Sequence, residues 1–547
     1  MKKNRILRKH SFITGAFIST LGIIISKVLG VVYVVPFHAL VGDVGGALYG
    51  YAYSIYAFFI GISTAGIPLS VSKVTSYYAA KGDYSAKQRT FILARKMALI
   101  LGFVSFLILI IFAPMIAKLI IGNLSGGNSL SAITGVIRII ALAVLVVPVL
   151  SIYRGYMQGH MIMTPPSISQ VIEQIVRVTI IVIGSFLVIK VFKESVSLSV
   201  NVALLGALIG AICSYLYLKI VYLKNKNKFK DKNNTYSSSK VTNKEIINMI
   251  IIYAIPFIMI DIIKSLYDLV DMSTIVKSLA MYAEYTTAEA ESVMSIISTW
   301  GKKFNMIVIS VTTGIIMSLI PSLSSSIAKG DKKDINDKIN DSFSLLLLLA
   351  LPMSAGISIL SYPIWNLFYG SGNGAVVLSY FVFTSIFISL FTLSVTIIQL
   401  FKEYKVLLIS MLVGLLFKIL LNVNLINTFF KAGLPPVYGA ITASIIGYLV
   451  TFIICIVFLY KKYNIRFDSV VNNFIDIFID TLLMSTILLL ITRFIPVTGT
   501  SRMSSFLIIL IYTIMGIIIY GIYAFRRGLI KNIVGDRINK LFKKNWI

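Results

Sequence analysis

The sequence has little charge, little cysteine and little histidine for its length. Charged residues make up 13% of the 547 positions, about half the share found in ordinary globular proteins. The two cysteines, Cys213 and Cys455, stand inside apolar runs, which argues against a disulfide framework and a thiolate metal site. The three histidines lie far apart, and no Gly-x-x-x-x-Gly-Lys-Ser/Thr phosphate loop occurs. The sequence therefore predicts no enzyme, no metal centre and no bound cofactor.

Hydrophobic side chains, in contrast, make up 57% of the chain. They form long continuous runs, and a run of about 20 apolar residues is enough to cross a bilayer as a helix. The runs lie near 12–37, 49–76, 93–121, 130–153, 165–189, 196–223, 246–276, 292–327, 342–369, 374–401, 404–426, 436–460, 473–495 and 505–525. Because polarity does not alternate within them, helices are favoured over a β-barrel. The chain is predicted to be an all-α integral membrane protein with about fourteen transmembrane helices.

Positive charge is unevenly placed, with 50 Lys and Arg against 21 Asp and Glu. Basic residues collect in every second connection, as at 81–96, 219–244 and the tail from Arg526, whereas 122–129 and 370–373 have none. Cytoplasmic loops of membrane proteins carry such an excess. The pattern predicts a multi-pass protein of the bacterial cytoplasmic membrane with both termini in the cytoplasm. The expected partners of these charges are membrane lipids rather than nucleic acid, because no basic patch is interleaved with stacking aromatics.

A polar segment and an internal duplication divide the chain into two lobes. Residues 224–244 are lysine-rich and poor in apolar side chains, as expected of a linker. Residues 64–83 align without a gap on 312–331, sharing Thr, Gly, Ile, Ser and a terminal Ala-Lys-Gly-Asp at the same spacing. Both copies end even-numbered helices, which predicts two parallel six-helix repeats. The predicted domains are an N-lobe at 1–223, the linker at 224–244, a C-lobe at 245–461, and two additional helices with a basic tail at 462–547.

Ionisable side chains inside the apolar runs are the main functional signal. At membrane depth each costs at least about 2.5–3.5 kcal/mol unless it faces water or a partner. Asp261, Lys264, Asp268 and Asp271 are spaced three, four and three residues apart, which places them on one face of the seventh helix. This helix is therefore predicted to carry a polar stripe that avoids lipid.

Other charges in the runs differ in whether a partner stands nearby in sequence. Glu173 and Arg177 are four residues apart on the fifth helix, where they either lock helices together as an ion pair or line a site. Lys27, Lys302 and Lys303 have no acid within a helical turn, so a cavity or a substrate anion is the expected partner. Surplus positive charge in a cavity suits a phosphate or pyrophosphate head group. The predicted substrate-binding residues are Lys27, Lys302, Lys303, Arg177 and Lys264.

Three short motifs follow one another along the chain. They are SKVLG from Ser26 to Gly30, RGYMQG from Arg154 to Gly159, and IPSLS from Ile320 to Ser324. Together with the repeated ends of the second and eighth helices, they resemble the MOP exporter superfamily over essentially the whole chain. Within it they are most similar to the MurJ-type lipid II flippases and the stage V sporulation protein B group. The resemblance implies two six-helix lobes around a central cavity, two further helices forming a lipid-facing groove, and alternating access.

The resemblance also implies roles for individual residues. Lys27 and Lys302 stand where the family often has arginine, so the charge is kept and the bidentate phosphate geometry is lost. Some members bind sodium with carboxylates of the seventh and eleventh helices, but the eleventh helix here offers Lys418 and Asn422. Sodium, protons or the membrane potential acting on cationic residues are the alternative drives. The residues expected to take part in coupling or gating are Asp261, Asp268, Asp271, Glu173, Lys418 and Asn422.

These features together predict a flippase that moves lipid II, the undecaprenyl-pyrophosphate-linked peptidoglycan precursor, from the inner to the outer leaflet. An exporter of another lipid-linked oligosaccharide, such as capsule or teichoic acid units, is one alternative. A cation-coupled multidrug antiporter is a second, although such proteins usually have twelve helices. A membrane scaffold for cell-wall enzymes is a third. The expected partners are the lipid-linked precursor, membrane lipids and cell-wall synthesis enzymes.

Overall fold

The computed structural model describes residues 26, 28–64, 66–160, 162–225, 241–494, 496–498 and 501–534, and every regular element in these ranges is a helix. The first helices are α1 (Val34–Thr64), α2 (Ile67–Ala80), α3 (Tyr84–Ile121), α4 (Leu130–Gly159), α5 (Thr164–Thr179), α6 (Val196–Lys224) and α7 (Asn243–Tyr282). Next come α8 (Thr287–Ser295), α9 (Lys302–Lys329), α10 (Lys332–Ile359), α11 (Ser361–Tyr369), α12 (Ala375–Phe381) and α13 (Thr384–Leu400). The last are α14 (Tyr404–Lys431), α15 (Val437–Tyr463), α16 (Asp468–Ile491), α17 (Arg502–Arg526) and α18 (Leu529–Val534). The all-α prediction is confirmed.

The membrane-crossing runs predicted from the sequence are also recovered. In the described part of the chain, 13 helical segments are long and apolar enough to span a bilayer. They correspond to the predicted runs from the second to the fourteenth. The first run, 12–37, lies mostly outside the described residues.

The duplicated Ala-Lys-Gly-Asp sequence forms the same helix junction in both copies. Gly82 and Gly330 have φ angles of 72° and 70°, a left-handed conformation that glycine adopts without steric cost. The next residues, Asp83 and Asp331, each accept a hydrogen bond from the backbone N–H three positions on, at 2.8 and 3.0 Å. The motif therefore ends α2 and α9 and caps the start of α3 and α10.

The two copies differ in the helices that follow this junction. The predicted run 342–369 is broken, because α10 ends two residues before α11 begins, and Pro363 stands in the first turn of α11. A proline is tolerated there because the first turn leaves backbone N–H groups unpaired anyway. Its counterpart Pro114 stays inside the continuous α3. Both paths nevertheless stop at a glycine of positive φ, Gly122 at 66° and Gly370 at 73°.

The chain forms two compact units whose boundary differs from that of the predicted lobes. Unit 1 consists of Met1–Lys277 and Thr286–Ser295, and unit 2 of Ser278–Tyr285 and Ile296–Ile547. Most of α7 and all of α8 therefore belong to unit 1. The predicted linker lies mainly outside the described residues, and the division into N-lobe and C-lobe stays a prediction.

Close helix packing in unit 1 depends on glycines of the RGYMQG motif. A Cβ atom at Gly155 would lie 2.4 Å from the carbonyl oxygen of Pro68, and one at Gly159 would lie 2.8 Å from that of Ser72. Both distances are too short for a methyl group, so these glycines allow the backbone of α4 to approach that of α2.

Gly155→Ala is expected to destabilise the protein by about 1–3 kcal/mol, because overpacking forces two backbones apart. Gly314→Ala is the matched control, since a Cβ there meets nothing within 4 Å. Alanine in an open helix interior instead favours folding by up to about 1 kcal/mol. Thermal unfolding of the detergent-solubilised variants should shift the midpoints in opposite directions. Equal shifts would contradict the packing assigned to Gly155.

Candidate functional site

A cluster of two arginines and one glutamate, with little exposure to solvent, lies in unit 1, where α4 and α5 meet α1. One carboxylate oxygen of Glu173 accepts a hydrogen bond from Arg154 Nη2 at 2.8 Å, and the other accepts one from Arg177 Nη2 at 2.6 Å. The three side chains are 13–16% exposed. Arg177 Nη1 also donates to the hydroxyl of Tyr53 on α1 at 2.9 Å. With two cations and one anion, the cluster keeps one positive charge in a poorly solvated place.

Serine side chains hold Arg154 toward this cluster. Arg154 Nε donates to Ser169 Oγ at 2.9 Å, and Nη2 donates to Ser214 Oγ at 3.1 Å. Ser214 Oγ in turn donates to the Ser169 carbonyl oxygen at 2.6 Å. Side chains of α5 and α6 therefore fix the position of the guanidinium, although Arg154 itself belongs to α4.

Two glycines of α6 allow this helix to reach the backbone that carries the cluster. A Cβ at Gly206 would lie 2.9 Å from the carbonyl oxygen of Arg177, and one at Gly210 would lie 2.7 Å from that of Glu173. The Gly-x-x-x-Gly spacing therefore serves an intramolecular contact. It places α6 directly behind the ionic residues of α5.

The four residues of the polar stripe predicted on the seventh helix lie on α7, and none of their side chains is exposed. Asp271 is buried, and Asp261, Lys264 and Asp268 are half-buried. Asp261 packs against α1, where a Cβ at Gly61 would lie 3.5 Å from the Asp261 Cβ. None of the other three stripe residues is without a partner. Lys264, Asp268 and Asp271 therefore have partners within the protein, which offsets part of the cost of a charge at membrane depth.

Lys302 and Lys303 begin α9 in unit 2, directly after a π-helical turn at Ile296–Trp300. Both side chains are half-buried, and each takes part in polar or electrostatic contacts. The turn before them is anchored by Tyr369, whose hydroxyl donates to the Trp300 carbonyl oxygen at 3.1 Å. π turns within helices occur frequently at functional sites. The two adjacent cations are therefore held on a locally irregular helix.

Lys418 is fully buried in unit 2, between α14 and α15. Its ammonium donates to Asn422 Oδ1 at 2.9 Å, to the Ala440 carbonyl oxygen at 3.0 Å and to Ser444 Oγ at 2.6 Å. Gly439 permits the approach of α15, because a Cβ there would lie 2.3 Å from the backbone of α14. The lysine is thus held by a set of neutral oxygens.

Some predicted site residues contact one another in the structure, and one of them lies outside the described residues. Glu173 pairs with Arg177, and Lys418 pairs with Asn422. Lys27 lies outside the described residues. Arg154 was missed as a site residue, although it stands in the RGYMQG motif at the end of an apolar run. Among the described residues no group of three or more His, Cys, Asp or Glu could hold a metal ion.

Comparison with known proteins defines the family. A family model described as "Polysaccharide biosynthesis protein" matches residues 12–311, which is more than half of the chain. The chain belongs to this family. It is also 32% identical to the lipid II flippase MurJ of Bacillus subtilis (strain 168), over 97% of this chain and 98% of that protein. The stage V sporulation protein B of the same organism is 23% identical over 68% of this chain and 69% of its own.

Two solved structures share the fold of this chain. A lipid II flippase MurJ in an inward closed conformation superposes with a TM-score of 0.63 at 18% identity, covering 94% of this chain and 100% of its own. An inward-facing multidrug resistance MATE transporter of the MOP superfamily reaches the same TM-score of 0.63 at 13% identity, covering 82% of this chain and 98% of its own. The resemblance of the motifs to MurJ-type flippases and the stage V sporulation protein B group is confirmed by the sequence comparisons, and the solved structures show the same fold. The chain therefore belongs with multi-pass membrane transporters rather than with enzymes.

Proposed function

We propose that the protein is a flippase that moves lipid II from the inner to the outer leaflet of the bacterial cytoplasmic membrane. The observation that carries this proposal is the 32% identity to a lipid II flippase over 97% of the chain. A family likeness that spans nearly every residue includes the last two membrane helices, α16 and α17. Both termini lie in the cytoplasm in this proposal, as the alternation of basic loops predicts.

The proposed cations supply the chemistry that such a substrate needs. A pyrophosphate head group loses its hydration when it enters a poorly solvated site, and paired cations compensate this loss. Lys302 and Lys303 are half-buried next to each other, and the Arg177 cluster keeps one positive charge in excess. Lys27 and Lys264 complete the proposed binding set. The polyprenyl tail stays in lipid while the head group turns over.

The driving force is part of the same proposal. A sodium ion, a proton or the membrane potential would return the emptied protein to its substrate-accepting state. The potential acts on each charge that crosses it with about 2.3 kcal/mol per 100 mV. The carboxylates of the α7 stripe and the Lys418 site are the candidates for this coupling. Cell-wall synthesis enzymes are proposed as partners that supply or use the lipid.

The family description also favours a second candidate, an exporter of another lipid-linked glycan. The matching model is named for polysaccharide biosynthesis, and a pyrophosphate-linked capsule or teichoic acid unit presents the same anionic head. The multidrug alternative has weaker support, because its likeness is limited to the fold and covers 82% of the chain.

The test is export of lipid II in cells depleted of their own flippase. The wild-type chain is expected to restore growth and the accessibility of lipid II at the outer face. Lys302→Ala should reduce export roughly tenfold to hundredfold, the value of one charge-assisted hydrogen bond, and Lys302→Arg should keep it. Lys333→Ala, which removes an exposed lysine of α10, is the control at equal protein level. Failure of the wild-type chain in this assay would reject the proposal, and export of another glycan instead would establish the second candidate.

A further inference from the structure

A groove with a volume of about 470 Å³ lies on unit 1 between α1 and the segment 180–191 that follows α5. It is lined by Pro36, Ala39, Leu40, Val182, Ile183, Phe186 and Lys190. The volume falls within the range of about 300–1,000 Å³ typical of ligand pockets. Ile183 and Phe186 are about half exposed, at 53% and 50%, and both belong to the membrane-spanning segment Thr164–Val191. The groove is therefore open, and its exposed apolar side chains belong to a segment that is long and apolar enough to cross a membrane.

The irregular end of α5 gives the groove its shape. Two π-helical turns, Ile180–Gly184 and Leu187–Val191, follow α5 directly, and such turns are rare and concentrated at functional sites. Gly184 packs tightly on α6, where a Cβ would lie 2.7 Å from Val202 Cγ1. The segment is thus held against α6, while its other side leaves a gap beside α1.

Lys190 is the one charged residue of the lining. It is exposed, and it forms no hydrogen bond or ion pair with any described residue. It stands in the last turn of the span Thr164–Val191, which is the depth at which lysine side chains reach the lipid head groups. A single unpaired cation above an apolar groove is complementary to one phosphate attached to a hydrocarbon chain.

We propose that this groove binds a phospholipid with an anionic head group, taken from the leaflet in which the segment Thr164–Val191 ends. One acyl chain lies along the apolar lining, and the phosphate pairs with Lys190. A lone lysine suits one phosphate, whereas a pyrophosphate calls for several cations, so the occupant is a membrane phospholipid rather than the transported precursor. The inference is independent of the proposed function.

The test uses fluorescence quenching in reconstituted vesicles. Phe186→Trp places a reporter in the groove, and the same protein without this substitution supplies the background of native tryptophans. Quenching is measured as dibrominated phosphatidylglycerol or dibrominated phosphatidylcholine replaces the unlabelled phosphatidylcholine. The reporter is expected to favour the anionic lipid about fivefold, which corresponds to the attraction of one lysine near a membrane surface.

Three further variants in the reporter background separate binding in the groove from the effect of general surface charge. Lys190→Gln should abolish the preference, whereas Lys193→Gln, which neutralises a lysine outside the lining, should keep it. Ala39→Leu, which fills the groove, should reduce quenching by both lipids. Equal quenching by the two lipids, or the same loss in both lysine variants, would overturn the proposal. Displacement of the brominated phosphatidylglycerol by an equimolar amount of undecaprenyl phosphate would overturn it as well, by identifying a polyprenyl chain as the occupant.

Discussion

Glu173→Gln is expected to destabilise the protein by about 3–5 kcal/mol, the usual cost of removing one partner from a buried ion pair. The carboxylate is bonded to Arg154 through one oxygen and to Arg177 through the other, and it is 14% exposed. Glutamine has nearly the same shape, so the substitution removes charge without opening a cavity. Two guanidinium groups would then share one neutral amide in a poorly solvated place.

The matched comparison is Glu403→Gln in the loop before α14, where the cation of the ion pair is exposed. Glu403 also forms an ion pair, with Lys462, and it accepts a hydrogen bond from the Tyr463 hydroxyl at 2.7 Å. Its carboxylate is 22% exposed and the lysine 50% exposed, and a pair at the surface contributes at most about 1 kcal/mol. The free energies of unfolding should be measured by denaturant titration in the same micelles. Costs of equal size for the two substitutions would show that the Glu173 cluster is not buried as described.

The ion pair between Glu403 and Lys462 also makes the free energy of unfolding depend on pH. The ammonium of Lys462 and the hydroxyl of Tyr463 hold the pKa of Glu403 below its usual value. A carboxylate with a lowered pKa stabilises the folded state above the pKa of the unfolded chain, about 4.3. Its small contribution is therefore complete at neutral pH and is lost as the pH falls through the lowered value.

The fold was predictable where one stretch of sequence carries the whole signal. Apolar runs of more than about 20 residues report a membrane helix directly, and the Gly-Asp pairs at Gly82 and Gly330 mark helix ends by local geometry. Irregularities inside helices left no such signal. Gly42 has φ 65° and ψ −167° within α1, and the π turns after α5 and before α9 depend on packing against other helices.

The same distinction explains what was found and missed among the site residues. Glu173 and Arg177 were predicted as a pair because four residues along one helix bring them together. Arg154 joins them from another helix, 19 residues away from Glu173, and no spacing rule covers that contact. The carbonyl oxygen of Ala440 could not be predicted either, because every residue has one and only the approach of α15 selects it.

Lys418→Ala is expected to cost more than about 3 kcal/mol of stability. The substitution leaves a cavity, for which replacements of a large buried side chain by alanine cost about 2–5 kcal/mol. It also leaves the oxygens of Asn422 and Ser444 without the lysine donor, at about 1–3 kcal/mol for each that finds no other partner, whereas the Ala440 carbonyl oxygen keeps a hydrogen bond from Ser444 Oγ at 3.1 Å. Lys418→Met fills most of the volume but, like alanine, removes both the charge and the hydrogen-bond donor. The difference between the two variants in denaturant titration therefore measures the cavity contribution separately.

The effect of sodium on stability tests whether the oxygens around Lys418 can bind a cation other than the lysine ammonium. Oxygen atoms are the ligands that hard cations prefer, and the set around Lys418 presents at least three of them within 3.0 Å of one point. In Lys418→Ala the vacated position is open to an ion, and sodium at about five times its dissociation constant should restore about 1 kcal/mol. The wild-type protein and Lys418→Met should not respond, because a side chain fills the position in both. Unfolding is compared in sodium chloride and choline chloride at equal ionic strength. A sodium response of equal size in the wild-type protein would place the ion elsewhere and remove Lys418 from the coupling site.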